Sequence, residues 1–204
     1  MSESETQSLS IFIIGPSSTG KTTLCEALAE KLKIPRDAYV TEVARTVMRE
    51  KGYSRDTIGL LEMQKAIMEG YYDRQRKLEL TGNRFPIHLY DRSAIDPVIY
   101  AILTAANDTE ANDRKRVLTK TVEFRNTIDK CKQSILILLK PVDGWLVDDG
   151  VRSIERQREC LDTFQGLLEE WEIPYVEMGE EIPLLTARVQ KIEEIMSKVS
   201  SFQH

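Results

Sequence analysis

The 204-residue chain lacks the features that mark several classes of protein. Its three cysteines are far apart and odd in number, so they predict neither a disulfide framework nor a metal site. No apolar run approaches the length of a membrane span, and the polar, acidic residues 1–10 are unlike a signal or transit peptide. The formal net charge of −5 argues against a surface built for non-specific nucleic-acid binding. We therefore expect a disordered tail over residues 1–10 and one cytoplasmic domain over residues 11–204.

A phosphate-binding pattern, G-x-x-x-x-G-K-[ST], lies between an apolar run at residues 11–14 and leucines at helical spacing. The pattern consists of Gly15, Pro16, Ser17, Ser18, Thr19, Gly20, Lys21 and Thr22, followed by Thr23. Its glycines let main-chain N–H groups surround a polyphosphate at a helix N-terminus. Lys21 is predicted to reach the β- and γ-phosphates, and the Thr22 hydroxyl is predicted to bind Mg²⁺. An ordinary glycine-serine turn would explain the glycines but not the strand and helix around them. The pattern predicts binding of a nucleoside triphosphate.

Apolar segments alternate with helical patterns along the whole chain. The predicted strands cover residues 11–14, 39–43, 86–91, 134–139 and 173–178. The predicted helices follow the phosphate-binding loop and cover residues 44–51, 56–80, 94–105, 114–132 and 185–199, with a further Arg-rich helix after residue 150. This alternation is typical of an α/β fold with a parallel sheet covered by helices on both faces.

Two carboxylates follow predicted strands. Asp91, with Arg92 beside it, ends the third strand, where a carboxylate typically holds the metal and a guanidinium stabilises a transferring phosphate. Asp96 is either functional or an acid at a helix start. Glu42 is a candidate for orienting a substrate hydroxyl or ribose, and Arg45 lies near it. Surface ion pairs explain both positions as alternatives.

A third candidate region is a loop that contains Trp145, Asp148, Asp149 and Gly150. Arginines follow it at positions 152, 156 and 158. Such a segment is typical of a lid over bound phosphates, and we place this lid around residues 143–160. Arg152 is the catalytic candidate and Arg156 a nucleotide-binding one. A basic helix face explains Arg156 nearly as well.

The sequence resembles the NadR-like phosphate-loop kinases over residues 11–196. The resemblance is carried by the loop at 15–23, Glu42-x-x-Arg45, Asp91-Arg92 and Trp145-x-x-Asp148-Asp149-Gly150-x-Arg152. It implies a three-layer P-loop NTPase fold with strand order 2-3-1-4-5, use of ATP and Mg²⁺, and phosphoryl transfer to a nucleoside-like hydroxyl. Nicotinamide riboside is the acceptor known for the type member. Bacterial NadR has an additional nucleotidyl-transferase domain, for which 204 residues leave no space.

The sequence is therefore consistent with three functions. The first is a small-molecule kinase in which Thr22 and Asp91 hold Mg²⁺, Lys21 and Arg152 neutralise the phosphoryl group, and Glu42 or Asp91 orients the acceptor. The second is a nucleotide-dependent binding or regulatory protein with slow hydrolysis. The third is a polynucleotide kinase, which the net acidity and the lack of basic-aromatic clusters disfavour. The oligomeric state and the choice between ATP and GTP stay open, with ATP slightly favoured.

Overall fold

The computed structural model describes residues 8–80, 85–142 and 154–201. Within them, five parallel strands form one sheet in the order β2-β3-β1-β4-β5, which confirms the order expected from the resemblance. The strands are β1 (Leu9–Ile14), β2 (Tyr39–Val40), β3 (Ile87–Asp91), β4 (Ile135–Leu139) and β5 (Val176–Met178).

Helices cover both faces of the sheet. They are α1 (Lys21–Lys31), α2 (Val43–Lys51), α3 (Leu61–Leu80), α4 (Asp96–Leu103), α5 (Asp108–Thr119), α6 (Val122–Lys132), α7 (Ile154–Glu170) and α8 (Leu185–Ser201). Short 3₁₀ turns at Arg36–Ala38 and Arg55–Thr57 connect some of these elements. No helix in this described part of the chain is both long and apolar enough to cross a membrane.

The central strand β1 shows how the three layers are built. Phe12 and Ile14 pack with residues of α2, α3, α4, α6 and α7, whereas Ile11 and Ile13 pack with α1 and α8 on the opposite face. Side chains of a strand alternate between faces, so a strand buried on both sides must be continuously apolar. The run of apolar residues in β4 is explained in the same way, because all five of its residues are buried.

The prediction of a single helix over residues 114–132 is wrong. The structure has two helices there, and the Thr121 hydroxyl begins the second by accepting a hydrogen bond from the Phe124 N–H at 3.1 Å. Residues 108–112, which lie between the predicted helices at 94–105 and 114–132, instead form the start of α5, and the Asn107 side chain accepts a hydrogen bond from the Glu110 N–H at 3.0 Å. Both errors have one cause, since Thr and Asn are helix-capping residues as well as loop residues.

Several predicted boundaries also shift. Leu9 and Ser10, which were assigned to the tail, belong to β1, and the Leu9 N–H donates to the Pro86 carbonyl at 2.9 Å. The predicted helix at 56–80 begins only at Leu61, because the Ser54 capping box closes a separate 3₁₀ turn. Strand β2 ends at Val40, and β5 begins at Val176 rather than at residue 173.

Candidate active site

The phosphate-binding loop joins β1 to α1, as predicted. Gly15 has φ +134°, and a Cβ placed on it would collide with the main-chain carbonyl oxygen of Leu139 in the neighbouring strand β4. Gly20 has φ +84° and precedes the first residue of α1 without a side-chain cap. Both positions therefore need glycine, the first for space and conformation and the second for conformation. The first main-chain N–H groups of α1 lie at the end of this loop, where an anion is favoured.

Lys21 is buried against its own loop. Its Nζ donates to the Pro16 carbonyl oxygen and, at 3.2 Å, to Thr19 Oγ1. Burial, together with repulsion by Arg92, lowers the pKa of Lys21 to about 7, although Asp96, Asp91 and Cys160 act in the opposite direction. An anionic phosphate would stabilise the protonated form, because opposite charges favour ionisation. The lysine therefore lies in the predicted phosphate-binding loop with a pKa well below its usual value.

Thr22 and Asp91 meet at the end of the loop. Thr22 Oγ1 donates to Asp91 Oδ2 at 2.7 Å, and Thr41 Oγ1 approaches the same oxygen at 3.4 Å. The other carboxylate oxygen, Oδ1, is buried and has no hydrogen-bond partner. A buried acceptor without a partner costs stability, so a cation or donor that reached it would remove that cost. The structure therefore brings together the two residues predicted to bind the metal.

The chemistry of this pair fits Mg²⁺. The ion prefers oxygen ligands and is commonly held by one or two carboxylates, waters and substrate phosphates. Thr22 supplies a hydroxyl and Asp91 a carboxylate at one point of the site. Among the described residues, no group of three or more His, Cys, Asp or Glu side chains could form a metal site without a substrate. The pair suits an ion that arrives with a nucleotide.

Arg92, which is partly buried, pairs with the buried Asp96 beside Lys21. Arg92 Nη1 donates to Asp96 Oδ1 at 2.8 Å, and Asp96 Oδ2 accepts from the Ser93 N–H at 3.0 Å and Oγ at 3.3 Å. Burial by itself lowers the pKa of Arg92, but Tyr100, Asp96 and Tyr71 outweigh it and the net shift is upward. Arg92 thus stays charged in a fixed position. Asp96, for which the sequence left both readings open, is the carboxylate that orients it.

Glu42 and Arg45 lie at the start of α2. Glu42 has φ +58° and forms an ion pair with Arg45, and their side chains are 48% and 77% exposed. An exposed pair of this kind contributes little to stability. Both residues nevertheless line a cavity. Glu42 and Arg45 therefore form a surface ion pair and at the same time border the space where the sequence predicts an acceptor.

The cavity has a volume of about 260 Å³ and adjoins the Thr22–Asp91 pair. Helices α2 and α3, the end of β3 and the start of α4 enclose it. Its lining combines apolar side chains with polar groups, a composition typical of small-molecule sites. Apolar contributors include Val43, Met48, Ile58, Met63 and Ile67, and polar ones include Arg55, Gln64, Tyr71, Arg92 and Tyr100.

Sequence reasoning missed the α3 residues of this cavity. Met63, Ile67 and Tyr71 repeat at helical spacing, which correctly predicts one buried face of the helix. The same spacing does not reveal that part of this helix face borders a cavity. The one indication in the sequence is Gln64, because a polar residue next to the apolar repeat is unusual on a face that is fully packed.

The predicted lid falls largely outside the described residues. Trp145, Asp148, Asp149, Gly150 and Arg152 belong to this part, so the structure does not place them. Residues 154–160 form the start of α7, on which Arg156 is exposed. Cys160 of the same helix is buried, and burial first, then Asp96, raises its pKa to about 12, whereas Lys21 and Arg92 oppose the shift. Cys160 packs in the same buried cluster as residues of α3, α4 and α6.

Comparison with known proteins gives a family match and several structures of the same fold. A family model described as an AAA domain matches residues 10–182. The solved structure of NadR in complex with NR is similar with a TM-score of 0.63 and 22% identity, covering 83% of this chain and 43% of that one. This chain thus spans less than half of the NadR chain. A search of curated proteins gave no match.

Two nucleoside or nucleotide kinases are similar over nearly their full length. Deoxyadenosine kinase from M. mycoides, with dCMP and dCDP bound, has a TM-score of 0.67 and 14% identity, with coverage of 95% of this chain and 100% of that one. Thymidylate kinase from Ehrlichia chaffeensis has a TM-score of 0.56 and 16% identity, with 93% and 98% coverage. These likenesses confirm the predicted P-loop NTPase fold of nucleoside-kinase type and the resemblance to NadR. With the match over residues 10–182, the chain belongs to the AAA domain family.

Proposed function

We propose that the protein is a cytoplasmic, ATP- and Mg²⁺-dependent kinase that phosphorylates a hydroxyl of a small nucleoside-like molecule. The observation that carries this proposal is the cavity beside Thr22 and Asp91. A protein that only binds and hydrolyses a triphosphate needs space for water next to the γ-phosphate. A kinase needs an acceptor site there, and about 260 Å³ between α2, α3 and β3 supplies one.

On the donor side, the loop from Gly15 to Thr23 binds the phosphates of ATP. The Lys21 ammonium turns from Pro16 to the β- and γ-phosphates, and its exchange of one oxygen partner for another keeps it hydrogen-bonded. Thr22 and Asp91 would hold Mg²⁺, which would supply charge neutralisation on the phosphate oxygens. Arg92 adds a guanidinium held by Asp96. Arg152 neutralises charge on the transferred phosphoryl group, and Arg156 binds the nucleotide.

On the acceptor side, the substrate hydroxyl attacks the γ-phosphorus. A new O–P bond forms as the bond to the bridging oxygen of ADP breaks, and the hydroxyl proton is lost to a carboxylate. We favour Asp91 over Glu42 as the carboxylate that orients this hydroxyl. Asp91 is buried at the meeting point of loop and cavity, whereas Glu42 is half exposed and engaged by Arg45. Catalysis then rests on positioning and electrostatics.

Nicotinamide riboside is the first acceptor to test. The similar NadR structure contains NR, and the deoxyadenosine kinase structure contains deoxynucleotides. The cavity of this chain is bordered by the apolar Met63 and Ile67 and by charged groups at its phosphoryl end. A ribonucleoside, with a flat ring at one end and a hydroxyl at the other, matches this division.

The deciding experiment measures ATP consumption by purified protein with Mg²⁺ across a panel of nucleosides that includes nicotinamide riboside. We expect one acceptor to stimulate consumption at least 100-fold over the rate with ATP alone. Lys21→Ala serves as the inactive control, and it should keep the fold because the lysine is buried at a cost in its charged form. Its melting temperature is measured alongside.

Three outcomes would contradict the proposal. Full activity in a well-folded Lys21→Ala protein would show that Lys21 does not bind the phosphates of ATP. Tight ATP binding with no stimulation by any acceptor favours the regulatory protein instead. Labelled phosphate on a short oligonucleotide would instead support the polynucleotide kinase.

A further inference from the structure

Helices α2 and α3 both contribute side chains to the acceptor cavity. Val43 and Met48 of α2 belong to its lining, and so do Met63 and Ile67 of α3. The separation of the two helices therefore sets one dimension of the space that an acceptor can occupy. The contact that holds the helices at this separation bears on which acceptors fit.

The two helices approach each other closely at Gly70, in the middle of α3. A Cβ placed on Gly70 would lie 2.7 Å from Val47 Cγ2 and 3.1 Å from Val43 Cγ1. Carbon atoms in contact normally lie about 3.5–4.0 Å apart, so a side chain fits there only after a displacement. The φ of Gly70 is not positive, and a glycine inside a helix is unfavourable. Glycine is therefore needed here for the close approach of α2 and not for its conformational freedom.

A methyl group added at Gly70 would displace α2 rather than α3. A valine side chain in a helix is confined largely to one rotamer, so Val43 and Val47 cannot turn away from the contact. Helix α3 buries seven residues, whereas α2 buries two, which are these same valines. The helix with fewer buried residues would move, and it would carry Met48 and the rest of its cavity lining outward.

We propose that Gly70 determines the size of the acceptor that the cavity accepts, because it sets the distance between α2 and α3. This inference rests on the proposed function, since the cavity concerned is the acceptor site. Gly70 and Val47 are not among the described residues that line the cavity. They are positioning residues that act through Val43 and the rest of α2. A displacement of about 1 Å, which the contact distances require, is enough to change binding strongly.

The test compares Gly70→Ala with the unchanged protein on a one-ring and a two-ring nucleoside, nicotinamide riboside and adenosine. Calorimetry measures the affinities, and ATP consumption measures KM and kcat. Because α2 moves outward, we expect the ratio of affinities to shift at least about fivefold toward adenosine. The acceptor KM should change more than kcat, and the KM for ATP should change by less than about twofold. If only one nucleoside binds, its affinity alone must change in this direction.

Two variants of Val47 connect the effect to this contact. Val47→Ala removes the atom nearest the new Cβ, so the double variant Gly70→Ala/Val47→Ala should return the ratio to within about twofold of its original value. Val47→Ile adds one carbon at the contact from the α2 side. It should shift the ratio in the same direction as Gly70→Ala, and it decides the matter if Gly70→Ala does not fold.

The matched control is Gly166→Ala in α7. Gly166 is exposed, and a Cβ there would lie within 4 Å of no atom of the described residues. The control therefore replaces a glycine inside a helix without crowding a neighbour, and the affinity ratio should stay unchanged. An equal shift in Gly166→Ala would overturn the inference, because the effect would then arise from a stiffer helix and not from the spacing of α2 and α3.

Binding and turnover together separate this inference from the proposed function. If the ratio shifts in Gly70→Ala and returns in the double variant, the inference stands even when no nucleoside stimulates ATP consumption. If an acceptor is phosphorylated but folded Gly70→Ala leaves the affinities unchanged, the kinase stands and the inference fails. If neither nucleoside binds, the inference fails whatever the acceptor panel shows.

Discussion

The donor and acceptor halves of the site differ in how they are assembled. The donor half is one continuous loop whose polar groups already bond to each other, with Lys21 on Pro16 and Thr19. The acceptor half combines side chains of α2, α3, β3 and α4, and it keeps an open space. A donor site of this kind must exchange existing bonds when ATP binds. An acceptor site must supply bonds that do not yet exist, and its affinity therefore depends more on the fit of the ligand.

The largest effect is expected where the two halves meet. Asp91→Asn keeps the size of the side chain and removes its charge, so Thr22 retains a partner while metal binding and proton acceptance weaken. We expect kcat to fall about 100-fold or more, with a higher Mg²⁺ requirement. The measurement is acceptor-dependent ATP consumption against Mg²⁺ concentration. Asp73→Asn, at an exposed position, is the control, and near-normal kcat in Asp91→Asn would remove Asp91 from both roles.

A substitution that fills the cavity should impair binding of the acceptor and leave binding of ATP unchanged. Met48 is partly buried and lines the acceptor side, so Met48→Trp reduces the space available there. We expect the KM for the acceptor to rise more than tenfold and the KM for ATP to change by less than about twofold. Met48→Leu preserves the approximate volume and should behave as the unchanged protein. Equal effects on both substrates would show that the halves are not independent.

The lowered pKa of Lys21 predicts a pH dependence of the donor half alone. The free protein has a Lys21 pKa of about 7, and bound triphosphate raises it by attraction. Below pH 7 the lysine is protonated with or without ligand. Above pH 7 binding must take up a proton, so the contribution of Lys21 to affinity falls by up to about tenfold per pH unit until the pKa of the bound state is reached.

This dependence is measured as the ratio of ATP affinities of the unchanged protein and Lys21→Met between pH 6 and 9. Titration of the phosphates is common to both proteins and cancels in the ratio. The ratio should be largest at pH 6 and should decline above pH 7. A ratio that is constant over the range would contradict a lysine pKa near 7.

The smallest effect is expected at Glu42, on the exposed edge of the cavity. Glu42 is half exposed and paired with Arg45, so Glu42→Gln should change kcat and the acceptor KM by less than about threefold. Steady-state kinetics with the best acceptor measures both values. A loss of 100-fold or more would transfer the acceptor-orienting role from Asp91 to Glu42.

The difference between the halves also explains what could be predicted from the sequence. The phosphate-binding loop is encoded by nine neighbouring residues, and Asp91 is recognisable because it ends an apolar strand in a parallel sheet. Gln64 and Tyr71 carry no such local signal, since a buried residue of α3 looks the same whether it faces packed atoms or a cavity. Thr121 and Asn107 show a second limit, because one side chain serves either a loop or a helix cap.

The close contact between Gly15 and the Leu139 carbonyl has a consequence for how this site varies in evolution. The start of the loop lies so close to the main chain of β4 that the space beside Gly15 is filled by the Leu139 carbonyl oxygen. Ser17 borders the cavity and is only partly buried, so a different side chain there would change the lining without entering this contact. Gly15 has no such freedom, because any side chain there would push two central strands apart. The main chain of β1 and β4 therefore fixes the position of the loop, whereas the side chains that line the cavity can be substituted individually.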